Sequence, residues 1–310
     1  MKVVFFGSPS TALPALNSLL TSGHEIGLVV TQPDKPAGRG KKLTPPAVKV
    51  FAHNHALPVI QPEKVKKDEK TLELVKEAKP DVIVVVAYGQ IIPASIIYLP
   101  PYKSLNIHFS ILPKYRGAAP VPWAILNGEM FTGVTIFQLN EKMDEGPILT
   151  QEQTPILPRE NALELETRLA YLGARLLINT LNELEKIELK PQDDSQATYA
   201  PKLTKEQAQI DWGEPAAIID RKVRAFFPWP GAFTFLHNQR IEIISGQSLP
   251  AIIPSARPGE IVQIDKSGIY ICCGQKSLFL VEKVKPEGKK EMSAYSFSLG
   301  GKIRTGVLFS

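Results

Sequence analysis

Short apolar runs alternate with amphipathic stretches over the first two hundred residues, and that alternation restricts the fold more than any other feature of the chain. Residues 3–7 and 25–31 read as apolar strands, with a helix expected between them at 11–20. A helix at 46–55, a short strand at 58–60 and an amphipathic helix at 68–78 follow. Residues 81–87, DVIVVVA, are apolar without interruption, as suits a strand in a sheet covered on both faces. Beyond them come a strand at 104–109, a helix around 119–127, a strand at 133–140 and a long leucine-spaced helix at 161–184. The pattern predicts an α/β fold, a mostly parallel sheet flanked by helices. Ligands of such sheets sit beyond the carboxyl ends of central strands.

The remainder reads differently. Residues 187–209 are polar, contain Pro191 and Pro201, and have the character of a linker. A helix is expected at 214–226, with Ile219, Val223 and Phe226 on one face. Five short strand-like runs follow, at 231–236, 240–245, 259–264, 268–272 and 278–284, punctuated by Gly, Asn and Pro. A helix and five short strands suggest a small β-barrel of the oligonucleotide-binding (OB-like) kind.

Charge separates the two parts. Residues 1–200 carry 21 basic and 21 acidic side chains, whereas residues 201–310 carry 15 and 10. A basic stretch at 33–49 adds five cations against one acid. Together they point to a polyanion such as nucleic acid, although a solvated surface would also account for so modest an excess. Cys272 and Cys273 are adjacent and make no disulfide framework. No apolar run is long enough to cross a bilayer, and the chain opens on a strand-like run with no basic or apolar leader. A cytoplasmic protein with no membrane partner is expected, acting as a monomer.

The chemistry-bearing segment is Asn106-Ile107-His108, with Asp144 thirty-six positions after the histidine. On a strand, Asn106 and His108 share a face. Residues 133–140 make a second strand, and the loop after it carries Asp144. An amide able to hold an oxyanion, an imidazole able to relay a proton and a carboxylate beside it suit acyl transfer between nitrogens. A satisfied core histidine and an unrelated loop aspartate are the bland alternative. GSPSTA after the first strand lacks the glycines of a dinucleotide fingerprint, so a nicotinamide oxidoreductase is disfavoured. Nor is there paired Cys or His spacing of the zinc type.

The segments VVFFGSPSTALPAL, TQPDKPAGRGKKLTPPAVK, DVIVVVAYGQIIP, SLNIHFSILPKYRGAAP, QATYAPKLTKEQAQIDW and RAFFPWPGAF together resemble the folate-dependent formyltransferases over roughly residues 1–235. The resemblance implies a Rossmann-like catalytic domain at 1–189 with a basic insertion at 32–49, a linker at 190–206 and a tRNA-binding barrel at 207–310. It implies transfer of a formyl group from 10-formyltetrahydrofolate, without a metal, to the α-amine of methionine on initiator tRNA, in support of translation initiation. Asn106 would donate to the oxyanion, Asp144 would orient the imidazole, and either His108 or Asp144 would be the base. Ser110, Ile111, Leu112 and Pro113 match the folate loop. Val86, Tyr88, Gly89, Gln90 and Ile91 would flank the pterin. Arg39, Lys41 and Lys42 in the insertion, with Lys202 and Lys205 further on, would meet RNA phosphates. Lys142 stands where similar enzymes have glycine, which puts the turn before Asp144 in question. The rival readings are a formyl acceptor other than tRNA, or an RNA-binding module without catalysis. The GRGKK loop argues against the first, and the Asn106, His108 and Asp144 set against the second.

Overall fold

The computed structural model describes residues 1–37, 42–300 and 303–310 and divides into two compact units. The first comprises 1–120, 131–155 and 166–200; the second comprises 121–130, 156–165 and 201–310.

Seven strands form the sheet of the first unit: β1 (Lys2–Gly7), β2 (Glu25–Val30), β3 (Val59–Ile60), β4 (Val82–Val86), β5 (Ser104–His108), β6 (Phe131–Gln138) and β7 (Ile148–Pro155). Their order is β7-β6-β5-β4-β1-β2-β3. β1 to β5 pair in parallel, whereas β6 and β7 join antiparallel. The sheet is thus mixed, with its reversal of direction directly beside β5. All five residues of β4 are buried, as an uninterrupted apolar run requires when helices cover both faces. β7 was not foreseen. Its sequence ILTQEQTP buries only its first residues continuously and then exposes every other one. A polar edge strand of this kind resists pairing with other chains and carries little apolar periodicity to read.

The helix Ala162–Asn182 reaches β5 through Gly173. A Cβ there would stand 2.7 Å from the Ile107 side chain and 3.3 Å from Val134. Glycine inside a helix costs about 1 kcal/mol against alanine; here it permits the close approach that seats the helix behind the strand bearing Asn106 and His108. The region read as a linker also carries structure. Tyr199–Ala200 pairs in parallel with Arg116–Gly117, and Lys190 exchanges both backbone hydrogen bonds with Ile148 at the start of β7.

In the second unit, β8 (Phe233–Leu236), β9 (Gln239–Ile252), β10 (Ile261–Asp265), β11 (Gly268–Cys272) and β12 (Ser277–Pro286) run in the order β8-β9-β12-β11-β10, all antiparallel. The two edge strands are joined by residues 306–310. Phe235 N donates to Ser310 O at 2.7 Å, while Ile261 N donates to Val307 O at 2.9 Å and Phe309 N to Gly259 O at 2.9 Å. These five residues thus hydrogen bond along both edges of the antiparallel sheet. Phe309 is buried, with its ring 6.0 Å from that of Trp212. Trp212 Nε1 donates to Thr234 Oγ1 at 2.9 Å. The helix Ala216–Ala225 follows, two residues shorter than expected at its amino end and one at its carboxyl end.

The segments 121–130 and 156–165 are bound into this unit by side chains. Trp123 Nε1 donates to Pro201 O at 2.8 Å. Arg159 clasps Glu282 at 2.6 and 2.7 Å, and Arg224 Nη1 donates to Glu160 O at 3.2 Å. No helix among the described residues is long and apolar enough to cross a membrane.

Candidate active site

Asn106 and His108 lie on β5 opposite Phe137 and Thr135 of β6. His108 is buried. Its Nε2 hydrogen bonds to the Tyr115 carbonyl at 2.9 Å; a carbonyl only accepts, so Nε2 carries the proton. In the neutral ring Nδ1 then holds the lone pair, and it faces Asp144 Oδ2 at 3.8 Å. That separation is too long for a direct hydrogen bond. The imidazole is therefore oriented by Tyr115 rather than by the aspartate. Tyr115 achieves this from φ +62, in the left-handed region.

Asp144 is itself held. Its Oδ2 accepts from Gly117 N at 2.7 Å, and its backbone also stands in the left-handed region at φ +56. Lys142 is not among the described residues with positive φ, so a side chain in place of glycine is accommodated without backbone strain. Its ammonium reaches Glu145 at 3.2 Å. Gly146 is more constrained: a Cβ there would lie 1.7 Å from the Gln138 carbonyl oxygen, so the loop return demands glycine.

Asn106 Oδ1 is buried and has no hydrogen-bond partner among the described residues. Buried polar atoms are nearly always paired in folded proteins, so an unpaired one two residues from His108 on the same strand stands out.

The segment 110–113 turns off the end of β5 through a cis Leu112–Pro113 bond. Thr135 secures it. Its hydroxyl donates to Ser110 O at 2.7 Å and accepts from Leu112 N at 3.0 Å and Gln151 Nε2 at 2.9 Å. Gln151 Nε2 also donates to Leu112 O at 2.8 Å. The segment 86–91 leaves the adjacent β4 with Ala87 and Gly89 at positive φ. Part of it is already occupied. Tyr88 O accepts from Gln32 Nε2 at 2.6 Å and Ser8 Oγ at 3.3 Å. The Gln90 side chain accepts from Val65 N at 3.0 Å and donates to Pro62 O at 3.3 Å. The Tyr88 ring lies in the core edge-to-face on Phe6, and burial raises its phenol above the usual range. Val86 is buried, whereas Ile91 is 69% exposed.

In the basic insertion, Lys35–Ala37 and Lys42–Thr44 pair antiparallel, with Lys42 exposed. Arg39 and Lys41 lie outside the described residues. Lys49 is committed to Asp34 at 2.8 Å and Lys35 to Gln32. In the second unit Lys202 and Lys205 are exposed, whereas Lys222 pairs with Glu214 and Arg224 with Asp220.

Two sequence profiles match this chain: Formyl transferase over residues 1–181, and Formyl transferase, C-terminal domain, over residues 202–301. The chain belongs to the formyl transferase family. Among curated formyl transferases it is 46% identical to "Methionyl-tRNA formyltransferase" of Synechococcus sp. (strain JA-3-3Ab), covering 100% of this chain and 98% of that one. It is 43% identical to the protein of the same name from Citrifermentans bemidjiense, over 99% and 96%. Among solved structures it shares the fold of HypX from Aquifex aeolicus in complex with tetrahydrofolic acid, with a TM-score of 0.67 at 18% identity, over 99% of this chain and 50% of that longer one. It also shares the fold of an N-formyltransferase from Helicobacter canadensis in complex with folinic acid and dTDP-3-aminofucose, with a TM-score of 0.67 at 19% identity, over 91% and 98%.

Four site-supporting residues of this formyl transferase were given no role in sequence. Thr135 had a signal, a hydroxyl inside the apolar run of β6. Arg116 lies inside the recognised SILPKYRGAAP segment, but its burial is not legible there. Gln151 and Gln192 lie in polar stretches that offer no pattern.

Proposed function

We propose that this formyl transferase moves a formyl group from 10-formyltetrahydrofolate to the α-amine of methionine esterified to initiator tRNA, and so supports translation initiation. The observation that carries the reading is the Nδ1 of His108 standing 3.8 Å from Asp144, with Asn106 two residues earlier on the same strand, in a chain aligned end to end with methionyl-tRNA formyltransferases.

In this reading the neutral amine attacks the formyl carbon, a new C–N bond forms, and charge develops on the formyl oxygen. The Asn106 amide donates to that oxygen, while its partnerless Oδ1 is able to accept from an attacking N–H. His108 is pinned through Nε2, so proton traffic passes through Nδ1, on the side of Asp144. The bond between the formyl carbon and the folate nitrogen breaks, and the proton lost by the amine is returned to that leaving nitrogen.

Residues 110–113 and the remaining groups of 86–91 are assigned to the folate, since both segments flank the candidate triad at the carboxyl ends of β5 and β4. Arg39, Lys41 and Lys42, with Lys202 and Lys205, are assigned to tRNA phosphates. Residues 207–310 form the RNA-binding part in this scheme.

The test is a formyl-transfer assay with 10-formyltetrahydrofolate and initiator Met-tRNA, using elongator Met-tRNA and free methionine as controls. Formylation of the initiator alone is the expected result. Release of free formate, or transfer to a small amine instead, would overturn the RNA acceptor.

A further inference from the structure

We infer that Gln192, itself fixed by Arg116, is a positioning residue that sets the Asp144 carboxylate for proton transfer; the inference rests on Asp144 taking the role proposed above. Gln192 Nε2 donates to Asp144 O at 2.8 Å and to Gly146 O at 2.7 Å. Those two carbonyls bracket the loop that presents the carboxylate. Gln192 Oε1 accepts from Arg116 Nε at 3.0 Å and Nη2 at 2.8 Å.

This pattern assigns the amide unambiguously. Turned over, its NH2 would meet guanidinium donors and its oxygen would meet two carbonyls, losing all four interactions. Arg116 is 1% exposed, and its charge is met by Asp194 at 2.6 Å and Glu145 at 3.9 Å. A planar guanidinium with fixed donors holds an amide oxygen in a way a flexible ammonium does not.

Arg116 and Gly117 thus grip the loop twice. Gly117 N donates to the carboxylate itself, and Arg116 acts on the backbone around it through Gln192. The need for both follows from the conformation. Asp144 occupies the left-handed region, which a non-glycine residue leaves readily unless its surroundings hold it there. A displacement of about 1 Å at such a site costs about a hundredfold in rate.

The experiment compares formyl transfer and thermal unfolding of the parent, Gln192→Glu, Gln192→Leu, Arg116→Lys and Asp144→Asn. Gln192→Glu keeps an oxygen for Arg116 but offers no donor to either carbonyl, and Gln192→Leu removes the same donors without adding a charge, so a defect shared by both reports the lost positioning bonds. Both Gln192 variants should lower kcat about 10- to 100-fold, with KM for each substrate within about twofold of the parent. Arg116→Lys should fall between them and the parent. Gln192 variants with parental kcat beside an inactive Asp144→Asn would overturn the inference alone. A loss of kcat that only tracks the folded fraction would do the same. An active Asp144→Asn would overturn the role of the carboxylate and the inference with it.

Discussion

Thr135→Val replaces one hydroxyl by a methyl of similar size in a fully buried side chain, and its effect can be worked out from the bonds that hydroxyl makes. The Ser110 carbonyl loses its donor and the Leu112 amide loses its acceptor, and both residues are buried. Gln151 loses one contact but keeps Leu112 O and is exposed enough for water to replace the other. Leaving a buried polar group unpaired costs about 1–3 kcal/mol, so two give about 2–6 kcal/mol. For a unit of roughly 150–250 residues each kcal/mol lowers the midpoint by about 2–4 °C, so the first unit should melt about 4–24 °C earlier. Thr135→Ser retains the hydroxyl and removes one methyl, which costs about 1 kcal/mol. Thermal and urea unfolding of the three proteins measure this directly. A valine variant within about 0.5 kcal/mol of the parent, or a serine variant as damaged as the valine one, would refute the account of how residues 110–113 are held.

Asn106→Ala should lower single-turnover formyl transfer by about a hundred- to a thousandfold while folate binding, measured by titration, is largely kept; equal losses in both would remove the oxyanion role. Phe309→Ala empties a buried site against Trp212 and should destabilise the second unit by about 3–5 kcal/mol, read from denaturant unfolding, with no direct effect on the geometry around His108. Burial pushes the Cys273 thiol up to about 12 from its ordinary 9.0. The folded state therefore keeps a proton that the unfolded chain releases, and stability from this group is full below pH 9 and falls as pH rises towards 12. Thiol labelling of the native protein at pH 8 should be slow and should accelerate on unfolding; rapid native labelling would contradict the buried thiol.

The parallel core was legible because each element advertised itself: DVIVVVA is buried throughout, and the leucine-spaced run from 161 became the long helix Ala162–Asn182. Asn106 and His108 were placed on one face by strand geometry alone. β7 escaped because an edge strand with alternating polar residues has too few apolar positions to register. The second unit's strands were found, but β9 runs on to Ile252, well past the expected 245, since Gly246 and Pro250 read locally as breaks. The triad's supports were hidden for a different reason. Gln192 acts across 46 and 48 positions of sequence, on Gly146 and Asp144, and a polar residue in a polar stretch gives no sign of such a partner. The expectation that Asp144 orients the imidazole missed the Tyr115 carbonyl, because backbone acceptors have no sequence signature.

The interleaving of segments 121–130 and 156–165 with the second unit's sheet sets borders that differ from those a sequence comparison draws. The Formyl transferase, C-terminal domain, match starts at residue 202, yet Arg159 and Glu160 both bond to residues beyond it. A gene fragment cut at 202 would express this sheet without its two upstream segments, and Glu282 and Arg224 would lose their bonds to Arg159 and Glu160. Grafting this module onto another enzyme would therefore require carrying three separate pieces of chain, so inheritance of the two halves as a single block is the route the architecture favours over shuffling them.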